Sequence, residues 1–319
     1  ALYAGMDIER QGAVPGHVAY RFFVRGLPVA ARLTPELRNR ATGSPAAVVP
    51  WQAGTAIRPA TAWHPWRYPA PTHRVRRLSG LVRVAETLRI PAGDTLIIAP
   101  GTTLRLAPDV SIISKGLVWA RGTAAQPIRI VDDVPGRPWG ALVFFGPGAD
   151  GSVVEYADIA QGGGALVDRV EYIGMVNVHR ARGLVFDHVT FRDNVRSDDT
   201  FHALHASVTI RNSRFLRANG DAIDFDISSG TITGNTITDS GNDGMDLMTA
   251  TPWLSDNVIT GSADKGISIG EASRPVIFNN RISGGARGIE VKDRSAPLIL
   301  HNDLDDNGVA LRERRKNWR

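Results

Sequence analysis

The sequence predicts an all-β solenoid of stacked parallel strands, and three observations lead there. From about residue 173 the chain repeats itself every 22 residues or so. Regular self-similarity at that length marks a repeat architecture. Within each unit, apolar and polar residues alternate with period 2, as in Ala222-Ile223-Asp224-Phe225-Asp226-Ile227, Gly244-Met245-Asp246-Leu247-Met248, Gly266-Ile267-Ser268-Ile269-Gly270-Glu271 and Gly288-Ile289-Glu290-Val291-Lys292-Asp293. Such alternation belongs to strands rather than helices. About ten residues after each comes an Asn-bearing strand: Gly234-Asn235-Thr236-Ile237, Asp256-Asn257-Val258-Ile259, Asn279-Asn280-Arg281-Ile282 and His301-Asn302-Asp303-Leu304. A unit this short cannot bury its own apolar face, so the core must be the stack itself.

Residues 1–79 are non-repetitive and rich in Pro and Arg, and they read as a β-rich lead-in or the end of a preceding domain. Arg21–Val24 and Ala47–Trp51 are short strand candidates, and Trp63–Pro69 reads as extended linker because Pro cannot sit inside a ladder. From Leu81 short strands alternate with Pro and Gly: Leu88-Arg89-Ile90, Leu96-Ile97-Ile98, Leu104-Arg105-Leu106, Ile112-Ile113, Leu117–Ala120, Pro127–Ile130 and Trp139–Phe144. The solenoid is expected over residues 80–312. Residues 313–319 are expected as a basic tail, and the run Arg312–Arg319 as a polar end cap or disordered tail that shields the last rung.

Composition narrows the class. The chain has 319 residues, of which 43% are hydrophobic and 33 are Gly, an ordinary composition with a glycine excess that suits many tight corners. There is no cysteine, hence no disulfide and no thiolate metal site. No apolar run is long enough to span a bilayer as a helix. The chain begins at Ala1 with neither an initiating Met nor a signal-peptide pattern, so it is expected to be processed or to be a fragment, with further domains of a longer chain as an open prospect. The net charge is +5 at pH 7, with eleven Arg and no Lys against Asp7, Glu9 and Glu36 in residues 1–80. A cationic stretch can attract acidic polymers. Nucleic acid is not the expected partner, because no helix-turn-helix, zinc-finger or aromatic RNA-binding signature accompanies the charge.

Four phrases carry a resemblance: Ile90-Pro91-Ala92-Gly93, Ala99-Pro100-Gly101-Thr102-Thr103-Leu104, Arg121-Gly122-Thr123-Ala124-Ala125-Gln126-Pro127-Ile128 and Pro138-Trp139-Gly140-Ala141-Leu142. They resemble the N-terminal rungs of bacterial extracytoplasmic right-handed parallel β-helix proteins. The later units are similar to the repeats of pectate-lyase-like, carbohydrate-active helices. The resemblance covers about residues 80–312. It implies a right-handed, single-stranded parallel β-helix outside the cytoplasm, secreted, periplasmic or on the cell surface, with a polysaccharide as partner. The fold hosts lyases, hydrolases, epimerases and binders alike. The Asp-Pro-His tripeptide of alginate epimerases is absent, as are the Gly-His-Gly element and paired-Asp arrangement of polygalacturonases, and Asp198-Asp199 stands in a different context. The reaction type therefore stays open.

The register picks out the candidate chemistry. With Ile223, Phe225, Ile227, Met245, Leu247, Ile267, Ile269, Ile289 and Val291 pointing inward, the residues between them face outward. The first outward column reads His202, Asp224, Asp246, Ser268, Glu290. The second reads Leu204, Asp226, Met248, Gly270, Lys292, with Arg312 expected to end it in the last rung. Rungs lie roughly 4.8 Å apart, so Asp224, Asp226 and Asp246 crowd together, with Asp221 and Asp243 at the edge of the same face. Stacked like charges destabilise a sheet, so a column of Asp over Asp needs a bound cation, a neighbouring Lys or His, or a carboxyl kept protonated by its partner. Calcium between Asp224 and Asp246 is the candidate cation.

The same residues are what proton donation and abstraction on a sugar require. Asp224, Asp226 and Asp246 are the carboxyl candidates, near the separation of roughly 5–5.5 Å used by retaining glycosidases. Lys265, Lys292 and His202 are candidate bases. Arg287 and Arg294 are candidate clamps for a substrate carboxylate, with Glu271 and Glu290 beside them. His179, His188, His205 and His301 are expected as surface or turn residues, Trp139 as a packing residue, and the Asn ladder as structural. Two readings compete: a polysaccharide lyase, epimerase or hydrolase, and a non-catalytic glycan-binding or cell-surface scaffold. Catalysis needs loops that wall the strip, and residues 146–173 and Asn194–Thr200 are the sources expected to supply them.

Overall fold

The computed structural model describes residues 73–315. Among them there is no α-helix. The chain winds as a parallel β-solenoid of about 11 turns. One parallel sheet holds ten strands, stacked in sequence order from Leu88–Ile90 to Val309–Arg314. A second sheet forms the other two sides of the coil. One of its columns starts with Val75–Leu78 over Thr95–Ile98 and the other with Leu81–Val84 over Thr103–Leu106. The two columns join where the long strands Val153–Ala160 and Arg182–Arg192 run around the corner between them.

The stack starts five residues before residue 80, since Val75 already pairs with Thr95. It also runs past residue 312. The expected cap or tail is in fact the last rung through Arg314, because Glu290 pairs with Arg312 and Lys292 with Arg314. The strand candidates Arg21–Val24 and Ala47–Trp51 and the linker Trp63–Pro69 lie outside the described residues.

The repeat explains the core. Ile223, Met245, Ile267 and Ile289 stand in register on successive rungs, as do Phe225, Leu247, Ile269 and Val291. All but the last are fully buried, and Val291 packs against them half-buried. Phe191 lies flat on Phe215 with ring centroids 4.6 Å apart, and Phe201 tilts over Phe225 at 6.5 Å. The glycines that open the last three units are close-approach residues: a Cβ on Gly266 would stand 2.2 Å from Ile282 Cγ2. Trp139 is packed as expected, wholly buried with its indole N–H donating to Ala160 O at 2.6 Å.

Ile227 departs from the expected register. It is 45% exposed and has a φ of 51°, because the strand ends at Asp226 and Ile227 turns the corner. Thr249, Glu271 and Asp293 occupy the same left-handed corner on later rungs, with φ of 52°, 50° and 52°. The Asn ladder is present, but its left-handed residues precede the asparagines: Gly234, Asp256, Asn279 and His301 have φ of 65°, 57°, 54° and 56°. The asparagines link rungs instead. Asn257 Oδ1 accepts from Asn235 N at 3.0 Å and Asn235 Nδ2 at 2.9 Å, and Asn257 Nδ2 donates to Ile232 O at 2.9 Å. Asn280 and Asn302 repeat the pattern. Asn257→Ala orphans several buried groups at about 1–3 kcal/mol each. It is expected to lower stability by about 2–3 kcal/mol in urea unfolding while leaving any glycan binding unchanged. Lost binding in a fully folded variant would place the ladder in the site.

Candidate functional site

Strand pairing brings the expected first column together, with His202, Asp224, Asp246, Ser268 and Glu290 as consecutive partners on the ten-stranded sheet. Asn177 precedes them, and Arg312, expected over Lys292, follows Glu290 instead, leaving Arg314 over Lys292. The strip is not the open surface that alternation alone suggests. His202, Ser268, Glu290, Lys265 and Lys292 are buried, and Asp224, Asp226 and Asp246 are half-buried. A hairpin of Ala165–Val167 and Val170–Tyr172, from the segment expected to supply a wall, packs on the outward side chains Ile113 and Val143. Its Tyr172 ring stands 5.2 Å from His179. A cleft of about 470 Å³ runs along the hairpin, lined by Gly164, Leu166, Tyr172, Arg196 and Asp198 among others. The second expected segment is organised by buried Asn194. Its amide N–H donates to Ser197 O at 3.0 Å, and its Oδ1 accepts from Thr200 Oγ1 at 2.7 Å and Asn219 N at 2.8 Å.

The carboxyls fall into two groups. Asp199, His202 and Asp224 each bring one ligand-type atom within 4.8 Å of the others, and so do Asp221, Asp243 and Asp246. Asp224 and Asp246, expected as a pair around calcium, are thus divided between the groups. Asp199 enters because it is the rung partner of Asp221. His179, expected at the surface, is buried, and its Nε2 lies 3.2 Å from His202 Nδ1. His179 was hidden because its coil is longer, pairing it with Leu204, 25 residues on. Asp199 keeps the 22-residue spacing to Asp221 but precedes the alternating part of its strand.

Burial dominates the electrostatics. Asp199 and Asp224 are pushed far above the usual carboxylate range, first by desolvation and then by the surrounding Asp charges, so each keeps its proton at neutral pH. Desolvation and Asp243 raise Asp221 to about 7, and desolvation, partly offset by Lys265, raises Asp243 to about 6. Burial, His202 and Arg180 lower His179 to about 3, leaving it neutral.

The cationic candidates are placed differently from their expected roles. Lys265 Nζ binds Asp243 at 3.1 Å and also pairs with Asp264. Burial alone would lower its pKa, but these carboxylates outweigh that and raise it, so Lys265 is a fixed cation rather than a base. Arg287 pairs with Asp264 and, at 3.3 Å, with Glu290. Glu290 is fully buried, with Arg314 Nε at 2.8 Å and Arg312 Nε at 3.9 Å, and so belongs to an internal ion cluster rather than to a substrate surface. Lys292 is buried beside Gly270, where a Cβ would meet its Cε at 3.3 Å. Glu271 and Arg294 sit at left-handed corners beyond the strip, Arg294 lining a separate cleft of about 240 Å³.

Residues 195–313 match the family model described as "right handed beta helix region". The described residues form a right-handed parallel β-helix. Solved β-helix structures similar to it include an alginate lyase from Paenibacillus sp. str. FPU-7, with 16% identity, TM-score 0.38, and 73% of this chain and 95% of that one covered. The A-module of mannuronan C-5 epimerase AlgE4 from Azotobacter vinelandii gives 14% identity and TM-score 0.39, covering 76% and 91%. The surface protein and adhesin PfbA of Streptococcus pneumoniae gives 10% identity and TM-score 0.39, covering 76% and 91%. These likenesses concern the fold alone. Among curated proteins, none matches this β-helix in sequence. No helix among its described residues is long and apolar enough to cross a membrane.

Proposed function

We propose that this β-helix is a carbohydrate-active protein, working outside the cytoplasm, that carries out proton transfer on an extended glycan lying over the strip walled by the 165–172 hairpin. The observation that carries the reading is the convergence of Asp221, Asp243 and Asp246 from consecutive rungs, with Lys265 fixed beside them. Asp246 is half-buried where the other two are buried, so it is the member that reaches a sugar. Asp221 titrates at about 7, close to the pH at which an acid–base group is most effective. Hydrolysis and elimination both need such a donor and acceptor. The repeat units' resemblance to carbohydrate-active helices supports the same substrate class.

The test is a panel of neutral and acidic polysaccharides, scored for binding, new reducing ends and unsaturated products. The expected result is turnover of at least one polymer, reduced by about 10²–10⁴-fold in Asp246→Asn. Reducing ends without unsaturation denote hydrolysis, and the two together denote elimination. Glycan binding without turnover replaces the reading with a non-catalytic glycan-binding β-helix. Turnover unchanged by Asp246→Asn removes the site.

A further inference from the structure

We infer that Asp199, His202 and Asp224 form a binding site for a first-row divalent transition-metal cation of the zinc and manganese class. The inference concerns cation binding and stands independently of any action on glycans.

The geometry is close to that of a metal centre. One ligand-type atom from each residue lies within 4.8 Å of the other two. His202 Nε2 is 3.9 Å from Asp224 Oδ2 and 3.5 Å from Asp226 Oδ2, so Asp226 stands ready as a further oxygen ligand. Two ligands each about 2.1 Å from a zinc ion stand at most about 4.2 Å apart. Three ligands cannot all reach that limit at once: in the tetrahedral set zinc prefers, each pair stands about 3.4 Å apart, so the group has to close by as much as about 1.4 Å to hold such an ion.

A crowd of carboxyls is not by itself a site; two buried atoms aimed into this one make the difference. Asp199 Oδ2 and His202 Nε2 have no hydrogen-bond partner among the described residues. Asp199 is 1% exposed and His202 4%. Buried polar atoms are almost always paired, and an orphan asks for an explanation. A single cation placed between them satisfies both.

The surroundings of His202 fit the same role. A metal-bound imidazole commonly donates its second N–H to a neighbouring group, which fixes its tautomer and orientation. Here His202 Nδ1 lies 3.2 Å from His179 Nε2, and the two rings cross at 88°. When His202 donates from Nδ1 to His179, its Nε2 lone pair points at the carboxylates. His179 is itself packed by Tyr172 of the hairpin, so the orienting residue has a fixed position.

The donor set selects the cation. Calcium takes oxygen ligands. An imidazole nitrogen among carboxylates suits zinc, manganese, iron or cobalt. The neighbouring group is a poorer site for any cation: Asp243 is held by Lys265, and Asp221 Oδ1 already accepts from Asp243 N at 2.7 Å and Asn242 Nδ2 at 2.8 Å. An ion there has to displace a lysine.

The experiment titrates the chelator-treated full chain with Zn²⁺, Co²⁺, Mn²⁺ and Ca²⁺, reading binding heat, thermal unfolding and the visible spectrum of bound Co²⁺. One Zn²⁺ per chain is expected, with a raised Tm, and a Co²⁺ spectrum that changes in His202→Gln. Asp199→Asn should weaken Zn²⁺ binding at least 10-fold. That variant keeps the side chain's size and shape, so it is expected to fold even if His202→Gln does not. His179→Phe should weaken binding about 10-fold through loss of orientation, and Asp243→Asn should leave it unchanged. Absence of saturable binding, Zn²⁺ binding indifferent to Asp199→Asn, or Ca²⁺ bound as tightly as Zn²⁺ overturns the inference. Glycan turnover without metal binding would do the same while sparing the proposed function, and metal binding without any glycan activity would do the reverse.

Discussion

Replacing Lys265 by Met is expected to destabilise the β-helix by about 3–5 kcal/mol at pH 8, the usual cost of breaking a buried ion pair from one side. Lys265 and Asp243 are 6% and 1% exposed, and their charged atoms meet at 3.1 Å. Met fills much of the lysine stem's volume, so the loss is electrostatic rather than a cavity. What remains is a buried Asp243 carboxylate, whose pKa burial already raises, helped by the nearby Asp246 and Asp264. Without Lys265 that pKa must climb further. The penalty should therefore shrink on acidification, as Asp243 takes up a proton and ceases to need a partner. Urea unfolding of parent and variant at pH 8 and pH 5 measures it, and Asp243→Asn in the Lys265→Met background should recover most of the loss. A penalty below about 1 kcal/mol at pH 8 would mean that the pair holds little.

The second large effect is a gain in stability on acidification, measured with chelator present. Asp221 holds its proton up to about pH 7 when folded, whereas an unfolded Asp releases it near 4. Between those values the folded chain binds the extra proton, so stability falls as pH rises through the interval. For Asp221 alone the change is roughly 4 kcal/mol. Asp199 and Asp224 are shifted in the same direction and extend the loss to more alkaline pH. His179 opposes them: lowered to about 3, it costs stability as pH falls from 6.5, where an unfolded His takes up a proton. Three carboxyls outnumber one imidazole, so unfolding free energy should still be greater at pH 5 than at pH 8. Asp224→Asn should be more stable than the parent at pH 8 and should flatten the profile. A parent that is most stable at pH 8 would show that these carboxyls are not held protonated.

The period-2 pattern made the register legible, because one buried position fixes every other residue on a strand. Ile223 in and Asp224 out, and the column from His202 to Glu290, follow from that rule, whereas Arg312 falls over Glu290 rather than Lys292. It failed where the strand stops: Ile227 continues the alternation in sequence but sits at a corner with φ of 51°. The site was legible where the repeat is regular and hidden where it is not. Asp246 stands 22 residues after Asp224, whereas the longer coil that includes the loop organised by Asn194 puts His179 25 residues before its rung partner Leu204. Asp199 keeps the spacing to Asp221 but precedes the alternating part of its strand. The burial of Glu290 under Arg287, Arg312 and Arg314 was equally invisible. It depends on how long side chains fold across rungs, which a periodic pattern does not encode.

The asparagine ladder has one more consequence. Each link joins a residue only to its counterparts 22 to 26 positions away, and each link has the same chemistry as the next. A duplicated unit inserted after Asn280 would meet the same acceptors and the same stacked isoleucines as the unit it follows. The length of this molecule is thus a modular quantity, able to grow or shrink by whole coils. The carboxyl groups, fixed by residues up to and including Lys265, would keep their geometry whatever the number of coils beyond them.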